Sequence, residues 1–166
     1  RPQDIGILAS LGITTIAVAR KPRVVFISTG DELVPPTAEP GAGQIRETNS
    51  YTLAAVAEQC GAITESMGII PDRKEAVLAA LKATAGFDCV VLTGGSSAGS
   101  RDHTAACIDA LGKPGVMFHG VSMRPGKPLI YGVVDERPFF GLSGNPTSSL
   151  VGFLLFVRPL LWQLAG

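Results

Sequence analysis

The sequence predicts an α/β fold built around a mixed, mostly parallel sheet, and the first sign of it is an alternation of two hydrophobic periods. Runs of apolar, β-branched residues are each followed by a segment whose apolar residues recur at three- and four-residue steps. Strand-like runs that alternate with helix-like segments are typical of βαβ units, whose strands are parallel. The three runs lie at residues 24–28, 64–70 and 89–92.

A second observation predicts that the sheet is mixed. Three shorter strand-like pieces follow in close succession, and the short turn Asp135-Glu136 joins the last two, which is typical of a hairpin. A hairpin adds antiparallel pairing to a sheet of parallel strands. The pieces lie at residues 116–121, 129–134 and 138–142.

The predicted helices begin and end at recognisable residues. Ser50 is a good N-cap for the first helix and Gly61 ends it, while Asp72 is a candidate N-cap for the second. Pro159 predicts a kink or break in the last helix, which is apolar on nearly all sides. The predicted bounds are residues 50–60, 73 to about 85, about 102–111, and 147–164.

Length and composition indicate one globular domain. The 166 residues are 46% hydrophobic and 17% charged, with 14 basic and 14 acidic side chains, which excludes a disordered chain and leaves no basic surplus for nucleic acid. Residues 23–166 form the predicted domain, and residues 1–22 are predicted to be a linker or the remnant of a preceding domain. Because the chain starts at Arg1 rather than methionine, we expect an excerpt of a longer protein.

The sequence contains no segment that predicts secretion or a membrane span. The amino terminus lacks the cationic and apolar regions of a signal peptide, and Arg158 and Pro159 interrupt the longest apolar run before it reaches the roughly 20 residues that span a bilayer. Cys60, Cys89 and Cys107 are widely spaced and odd in number, which favours reduced thiols over disulfides. We therefore expect a cytoplasmic protein whose partners include neither membrane nor nucleic acid.

Two turns rich in glycine and serine are the strongest functional signal. Each follows a strand-like run and opens into a helical pattern, so unpaired backbone N–H groups would face an approaching anion. Glycine also lets a ligand touch the backbone, because it has no Cβ. We expect both turns, residues 93–102 and 141–149, to hold phosphate groups.

A third special segment lies between these turns, at residues 123–128. Arg124 and Lys127 flank Pro125-Gly126, and Pro128 follows, so prolines restrict the loop that carries the two cations. This arrangement favours anion binding, and a surface loop with incidental charges is the alternative. Neither a Walker nor a Rossmann glycine motif is present, so the pattern does not predict nicotinamide binding or nucleotide hydrolysis of those types.

Three carboxylates are further candidate functional residues. Asp31 and Glu32 directly follow the first strand, at the end of the strand where α/β sheets bind ligands. Asp102 stands at the predicted start of a helix beside a phosphate cradle, where a carboxylate can hold Mg²⁺. The alternative for Asp31 and Glu32 is an acidic turn without a binding role. The alternative for Asp102 is an acid that stabilises the start of a helix. His103 and His119 have no metal-ligand spacing, so zinc is not supported.

A long loop rich in proline and glycine, residues 35–43, leads to Arg46, Glu47 and Asn49 just before a predicted helix. An ordered loop of this length that ends in polar residues favours a functional role. Helix capping is the alternative, and it explains Asn49 or Ser50 by itself.

Together these segments resemble the central domain of the molybdopterin molybdenumtransferases, the MoeA and gephyrin family of molybdenum-cofactor biosynthesis. The resemblance covers nearly the whole chain. Any one of the motifs that carry it is weak evidence, whereas five in the family's order are strong evidence. They are residues 28–33 (STGDEL), 45–49 (IRETN), 93–102 (TGGSSAGSRD), 124–128 (RPGKP) and 141–146 (GLSGNP).

The resemblance implies a three-layer α/β/α sandwich, a homodimer, and insertion of molybdate into the dithiolene of adenylylated molybdopterin with release of AMP. It implies Mg²⁺ held by Glu32 and Asp102, catalytic roles for these two and Lys127, and molybdopterin adenylyltransferase as a partner. The residues that it assigns to binding of the pterin nucleotide are Thr29, Gly30, Asn49, Thr93, Gly94, Gly95, Ser97, Gly99, Arg124, Pro125, Gly126, Ser143, Gly144, Asn145, Pro146 and Ser148.

Four positions depart from the residues usual in that family. Ser100 stands where a carboxylate is usual, which weakens metal binding most, and Ser143 stands where proline is common. Ser96 replaces a branched aliphatic residue, and Glu47 replaces an aspartate. Two alternative functions remain: a molybdopterin adenylyltransferase, whose single domain shares the fold, and a non-catalytic scaffold or dimerisation domain.

Overall fold

Strands and helices alternate along the chain, as the hydrophobic patterns predict. The computed structural model describes residues 1–94 and 103–166. The strands are β1 (Arg23–Thr29), β2 (Leu33–Val34), β3 (Ile45–Arg46), β4 (Ile63–Ile70), β5 (Cys89–Thr93), β6 (Pro114–His119), β7 (Ile130–Val134) and β8 (Arg137–Leu142). The helices are α1 (Pro2–Ser10), α2 (Asn49–Gln59), α3 (Lys74–Lys82), α4 (His103–Leu111), α5 (Pro146–Gly152) and α6 (Arg158–Leu164).

Six strands form one sheet in the order β4-β1-β5-β8-β7-β6, and β2 and β3 form a small separate one. β1 is parallel to β4 and β5, and β5 is parallel to β8, whereas β7 is antiparallel to both β8 and β6. The hairpin between β7 and β8 turns at Asp135 and Glu136, whose φ angles of 49° and 62° are those of a tight hairpin turn. The predicted mixed, mostly parallel sheet is confirmed.

Helices cover both faces of the sheet, which confirms the three-layer α/β/α sandwich. Successive residues of β1 point to opposite faces, so Val24 and Phe26 belong to one hydrophobic core while Val25 and Ile27 belong to the other. α2 and the carboxy-terminal helices cover the first face, and α3 and α4 cover the second. The core residues that these helices supply are Leu53, Ala57, Phe153, Val157 and Leu161 on the first face and Val77, Leu81, Cys107 and Ile108 on the second.

The carboxy-terminal helix is continuous through Pro159. α5, a π-helical turn (Phe153–Val157) and α6 follow one another directly, and Pro159 lies in the first turn of α6. Proline cannot donate to the carbonyl one turn before it, and the wider π-helical turn directly precedes it. The predicted kink or break is therefore present as a change of helical winding rather than as an interruption.

The sequence predicts no segment that is long and apolar enough to cross a membrane, but this helix is such a segment by length and composition. The 19 residues Pro146–Leu164 have a mean hydropathy of 1.3 and meet that criterion by length and composition. However, Phe153, Val157 and Leu161 are fully buried against the sheet. The core helix of a globular domain has the same length and composition.

The first 21 residues lie beside the sandwich rather than in its core, and Pro22 is the first buried residue of the chain. α1 has no buried residue, and residues 11–22 form neither helix nor strand. Arg20 attaches this segment to the domain, because its guanidinium donates two hydrogen bonds of 2.5 and 2.6 Å to the carboxylate of Asp88. The backbone N–H of Arg23 donates to the same carboxylate at 2.7 Å. The hydrogen bonds from Arg20 lower the pKa of Asp88 below its ordinary value.

Helix boundaries differ from the predicted ones at three places. Thr48, not Ser50, precedes the first turn of α2, and Arg73 rather than Asp72 precedes that of α3. α3 ends at Lys82, earlier than predicted, and the Thr84 hydroxyl then donates to the carbonyl of Leu81 at 2.6 Å. Side-chain hydrogen bonds of this kind compete with continuation of a helix.

The three cysteines are free thiols. Cys89 and Cys107 are buried in the two cores, and Cys60 is half-buried at the end of α2. Burial raises the pKa of the Cys60 and Cys89 thiols. Because the thiolate is the reactive form, these two cysteines are poor nucleophiles near neutral pH.

Candidate functional site

Three adjacent parallel strands end at the same level of the sheet. Ser28 of β1 lies opposite Thr93 of β5, and Thr93 lies opposite Leu142 of β8. The chain leaves each strand within one residue of this row, so the three following turns start side by side. Parallel α/β sheets bind their ligands at this carboxyl edge. β6 is also parallel to β8, so the loop after His119 starts from the same edge.

The three strand ends contact one another through glycine. Gly94 has a φ of +90°, and a Cβ at this position would overlap the carbonyl oxygen of Thr29. Its amide donates to the carbonyl of Leu142 at 3.2 Å, which joins the turn after β5 to the end of β8. A Cβ on Gly144 would lie 3.5 Å from the Cα of Gly94. The structure therefore brings Thr29, Gly94 and Gly144 together.

Hydroxyl groups line this junction. Ser28 Oγ and Thr93 Oγ1 are 3.2 Å apart and share a hydrogen bond inside the protein. Thr29 is 1% exposed, and its Oγ1 has no hydrogen-bond partner within residues 1–94 and 103–166. The family resemblance assigns Thr29 to ligand binding, but nothing in the sequence predicts that its hydroxyl is unpaired.

The turn after β8 is held by side chains that cap it. Asn49, at the start of α2, donates from Nδ2 to the carbonyl of Gly144 at 2.9 Å. Asn145 Oδ1 accepts from the backbone N–H of Ser148 at 3.1 Å and so caps α5, and Ser143 Oγ accepts from the Asn145 N–H at 3.2 Å. The amide of Ser148 is thus used inside the turn, while Gly144, Asn145, Pro146 and Thr147 are exposed.

The cationic loop between β6 and β7 reaches the same turn. Gly126 is buried with a φ of +104°, and a Cβ there would lie 3.5 Å from the carbonyl oxygen of Ser148 and would overlap the side chain of Met123. Backbone hydrogen bonds from Val121 to Lys127 and from Gly120 to Leu129, of 2.9 and 2.7 Å, fix the base of the loop.

The two cations of this loop are available to an anion. The Arg124 and Lys127 side chains are exposed, and neither forms an ion pair within the described part of the chain. Pro125 is exposed between them. The packing of Gly126 places the loop that carries both charges beside the first turn of α5.

The predicted carboxylates behave differently from each other. Glu32 is exposed and its carboxylate folds over Gly30, where a Cβ would lie 2.8 Å from Oε2. Asp31 accepts a hydrogen bond of 3.3 Å from the backbone N–H of Asp72, which joins the turn after β1 to the turn after β4. The described residues contain no group of three potential metal ligands from His, Cys, Asp or Glu.

Glu47 has a structural role that sequence reasoning missed. Its carboxylate is 4% exposed and accepts from both the backbone N–H and the hydroxyl of Ser50, at 2.8 and 2.5 Å. An acid in this position satisfies the otherwise unpaired N–H of Ser50 in the first turn of α2 and complements the helix dipole. The signal was a Glu three residues before Ser50, at the start of a helical pattern.

A cavity of about 290 Å³ lies beside the Glu47–Ser50 pair. It forms at a bulge in β4, which has one more residue than β1 in the stretch opposite Phe26 to Ser28. Gly68 lies in this bulge and adopts a φ of +76°. Pro35, Pro36 and Tyr51 contribute to its walls. Bulges of this kind are common next to binding sites, and this one provides space at the carboxyl edge of the sheet.

Part of the predicted site lies outside the described residues. This applies to the binding residues Gly95, Ser97 and Gly99, to the predicted metal ligand Asp102, and to the departures Ser96 and Ser100. The described site therefore consists of the ends of β1, β5 and β8, the start of α2 and the cationic loop.

An α/β/α sandwich whose neighbouring parallel strands end in contacting glycine turns defines a domain of the class that binds ligands at the carboxyl edge of a sheet. A family model described as a probable molybdopterin binding domain matches residues 25–163 of this chain. The chain belongs to that family.

Known proteins resemble this chain in sequence as well as in fold. The chain is 37% identical over 166 residues to a protein of Haemophilus influenzae named molybdopterin molybdenumtransferase, with 99% of this chain and 41% of the relative covered. The crystal structure of the molybdopterin biosynthesis MoeA protein from Pyrococcus horikoshii matches with a TM-score of 0.84 and 41% identity, over 99% of this chain and 40% of that one. The chain thus spans about two fifths of the length of these relatives.

The same architecture occurs in a shorter protein. The molybdopterin biosynthesis enzyme MoaB from Thermus thermophilus matches with a TM-score of 0.59 over 85% of this chain and 96% of that one. The two are 18% identical, so this likeness concerns the fold alone. The relationship to the molybdenumtransferases extends to sequence.

Proposed function

We propose that this chain is the domain of a molybdopterin molybdenumtransferase that binds the pterin nucleotide, and that molybdate is inserted into adenylylated molybdopterin at its sheet edge, with release of AMP. One observation carries the proposal. Gly94 lies against both Thr29 and Gly144, so the turns after three strands form a single site. The identity to named molybdenumtransferases over nearly the whole chain supports the same reading.

Charge is the first physical requirement of such a substrate, because its phosphate groups are anionic. Arg124 and Lys127 are exposed, are unpaired within the described residues, and are carried by a loop that packs against the turn after β8. Cations with these properties attract phosphate groups, and Arg can bind two phosphate oxygens at once. Lys127 is the residue that we propose to lie nearest the reacting phosphate.

The second requirement is close approach of the ligand to the backbone. Gly94 has no side chain above the Thr29 carbonyl, and Gly144 is exposed at the neighbouring turn. The Thr29 carbonyl already fills the Cβ side of Gly94, so it is the exposed Gly144 that lets a phosphate group approach main-chain atoms. Asn49 holds the Gly144 carbonyl, so the turn is ordered before ligand binds.

Mg²⁺ is part of the proposal, with Glu32 and Asp102 as its protein ligands. When bound, the ion would neutralise phosphate oxygens of the substrate. Glu32 fits this role because its carboxylate is exposed at the end of β1. Mg²⁺ is often held by only one or two carboxylates together with phosphate oxygens and water, so a larger protein cluster is not required.

The proposal also includes a homodimer, a cytoplasmic location and molybdopterin adenylyltransferase as the enzyme that supplies the substrate. These three points follow from the family resemblance. The oligomeric state is accessible by sedimentation of the 166-residue chain, where a mass of two chains is expected.

Calorimetric titration with molybdopterin and with its adenylylated form tests the proposal directly. We expect binding that Mg²⁺ strengthens, because the ion adds attraction for the phosphate groups. Absence of binding to both ligands contradicts the proposal. Release of AMP on addition of molybdate then tests turnover, whereas consumption of ATP would identify an adenylyltransferase. A stable dimer whose Tm no pterin or nucleotide raises would identify a scaffold.

A further inference from the structure

The chain enters the sandwich at Pro22. Pro22 is buried, and its carbonyl accepts from the backbone N–H of Ile63 at 2.9 Å, so the sheet holds the chain from this residue onward. None of residues 1–21, the amino-terminal segment, is buried. Contacts close to residue 20 therefore decide how this segment is held.

Asp88, the residue before β5, is a firm anchor for such a contact. Its backbone N–H donates to the Arg23 carbonyl at 2.8 Å, and its carboxylate accepts from the Arg23 N–H at 2.7 Å. The side chain of Asp88 is 20% exposed, so it is largely withdrawn from water. The Arg20 guanidinium donates to both carboxylate oxygens, which is the strong bidentate geometry of an arginine–carboxylate pair.

Arg20 is the cation that bonds to this carboxylate. The guanidinium of Arg23 is occupied elsewhere, because it bonds to Glu65 at 2.8 Å and lies 4.7 Å from the ring centre of Phe87. No other cationic side chain forms an ion pair with Asp88 within the described residues. Loss of Arg20 would therefore leave the carboxylate without a charged hydrogen-bond partner.

Little else joins the amino-terminal segment to the sandwich. Within the described part of the chain, the hydrogen bonds that connect this segment with later residues come from Arg20 alone. Ala19 does lie close to the last residue, since a Cβ on Gly166 would be 3.2 Å from its Cβ. Apolar packing is nevertheless incomplete, because a cavity of about 250 Å³ separates the segment from the sandwich. Its walls are Ala19, Arg20, Pro22, Asp88 and Leu164.

We infer that the ion pair between Arg20 and Asp88 is a latch that fixes the amino-terminal segment to the sandwich, and that opening it frees residues 1–21 while the sandwich stays folded. Ion pairs between fully exposed side chains contribute little, whereas this pair is bidentate and its acid is anchored and largely buried. The latch lies at the opposite end of β5 from Thr93, so its opening leaves the carboxyl edge of the sheet in place. The inference does not depend on the proposed function.

Limited digestion with trypsin tests the latch, because trypsin needs the arginine side chain free to enter its own binding pocket. The bonds after Arg1 and Lys21 precede proline and resist trypsin, so cleavage after Arg20 is diagnostic and releases residues 1–20. In Asp88→Asn we expect the rate of this cleavage, followed by mass spectrometry, to rise about tenfold or more. The reason is that the population of the open form sets the rate, and hydrogen bonds between charged groups hold it down.

Glu39→Gln is the matched control. It makes the same change in net charge and removes the ion-pair partner of a different arginine, Arg46. Cleavage after Arg20 should proceed as in the unmodified chain. Equal acceleration in Glu39→Gln and Asp88→Asn would mean that charge alone attracts trypsin, and the inference would fail.

Arg20→Gln opens the latch from the other side and decides the matter if Asp88→Asn does not fold. Because this variant lacks the trypsin site, the measurement is NMR relaxation of the backbone amides. We expect order parameters at residues 17–21 to fall below about 0.6, while those of the strands stay near about 0.85. Unchanged values at residues 17–21 would exclude the latch.

Two results of the digestion would also overturn the inference. An unchanged rate of cleavage after Arg20 in Asp88→Asn would show that Asp88 does not restrain the segment. Equally faster cleavage after Arg23 and Lys82, in β1 and α3, would show that the sandwich itself has opened. The ion pair would then support the fold as a whole and would not be a latch.

Discussion

Gly94 is packed against Thr29 so closely that a Cβ on Gly94 would overlap the Thr29 carbonyl oxygen. Ser28 lies opposite Thr93 in two neighbouring strands, and Thr29 and Gly94 are the next residues along these strands. Gly144, after the next strand, is in contact with Gly94. Three backbone segments that are distant in sequence therefore form one junction, and the candidate site is built on it.

Replacement of Gly94 by alanine should destabilise the domain strongly. Gly94 has a φ of +90°, which an L-residue rarely adopts, and the new methyl group would overlap Thr29 as well. Strain and overlap together predict a loss of about 2–5 kcal/mol in the free energy of unfolding in urea.

The matched control is Gly61→Ala. Gly61 follows α2 with a nearly equal φ of +87°, but nothing lies within 4 Å of its Cβ position. This variant should lose only the strain contribution, about 1 kcal/mol. Equal losses for the two variants would show that the contact with Thr29 is unimportant.

Removal of Arg124 or Lys127 should weaken binding of pterin nucleotides. Each alanine variant removes an exposed, unpaired cation beside the turn after β8, so we expect roughly a tenfold loss of affinity at low ionic strength. High salt should reduce the difference, because it screens charges at the surface. Calorimetric titration at two salt concentrations measures both effects.

Lys82→Ala serves as the control for charge removal. Lys82 is exposed in the last turn of α3, a helix that runs from the carboxyl edge of the sheet toward the opposite one. The variant has the same change in net charge as Lys127→Ala. A comparable loss of affinity for Lys82→Ala would mean that overall charge, and not the loop, attracts the ligand.

Asp88 should make stability dependent on pH in the acid range. Hydrogen bonds from Arg20 lower its pKa in the folded protein below the unfolded value of about 3.9. A carboxylate whose folded pKa is depressed contributes stability above the unfolded pKa and loses that contribution as pH falls through the folded pKa. The stability difference between the unmodified chain and Asp88→Asn should thus be constant near neutrality and shrink below about pH 4.

Urea unfolding at a series of pH values checks this expectation. Glu39→Gln is the appropriate control, because Glu39 is 92% exposed although Arg46 bonds to it at 2.7 Å. Solvent-exposed pairs contribute little, so this variant should follow the unmodified chain at every pH. A stability difference for Asp88→Asn that does not change on acidification would exclude the ion pair as its source.

Glu47 and Ser50 should be energetically coupled. Glu47→Ala removes the acceptor of two hydrogen bonds in the first turn of α2, and losses from missing helix caps are about 1–2 kcal/mol. Ser50→Ala removes one of the same two bonds. The double variant should therefore lose less than the sum of the single losses, with a coupling energy of about 1 kcal/mol in urea unfolding. Additive losses would show that the bond from the Ser50 hydroxyl to Glu47 contributes nothing to stability.

Local patterns predicted the regular elements well, because each has a period that the sequence displays. The strands around Val25 and Val90 and the hairpin at Asp135-Glu136 are examples. β2 and β3 were missed, since two residues such as Leu33–Val34 are too short to display any period. The exact helix starts also escaped, because Thr48 and Ser50 are both residue types that cap helices and Ser50 is the better of the two by type.

The meeting of the glycine turns was predictable in position more than in detail. Glycine turns after predicted strands indicate ligand binding at the carboxyl edge, and the structure brings Thr29, Gly94 and Gly144 together there. The contacts themselves depend on which strands are neighbours and on their register, which no local pattern reveals. For the same reason the sequence could not distinguish the unpaired Thr29 hydroxyl from the paired one of Thr93.

The π-helical turn at Phe153–Val157 sets the rotation of everything that follows it. Successive residues of a helix are about 100° apart around its axis, so a chain one residue shorter within this turn would swing α6 by that angle. Trp162, which is 54% exposed and stacked with Arg158, would then take the buried position against the sheet that Leu161 occupies. Deletions in this segment should therefore destabilise the domain far more than point substitutions do. The number of residues in the segment decides which face of α6 packs on the sheet.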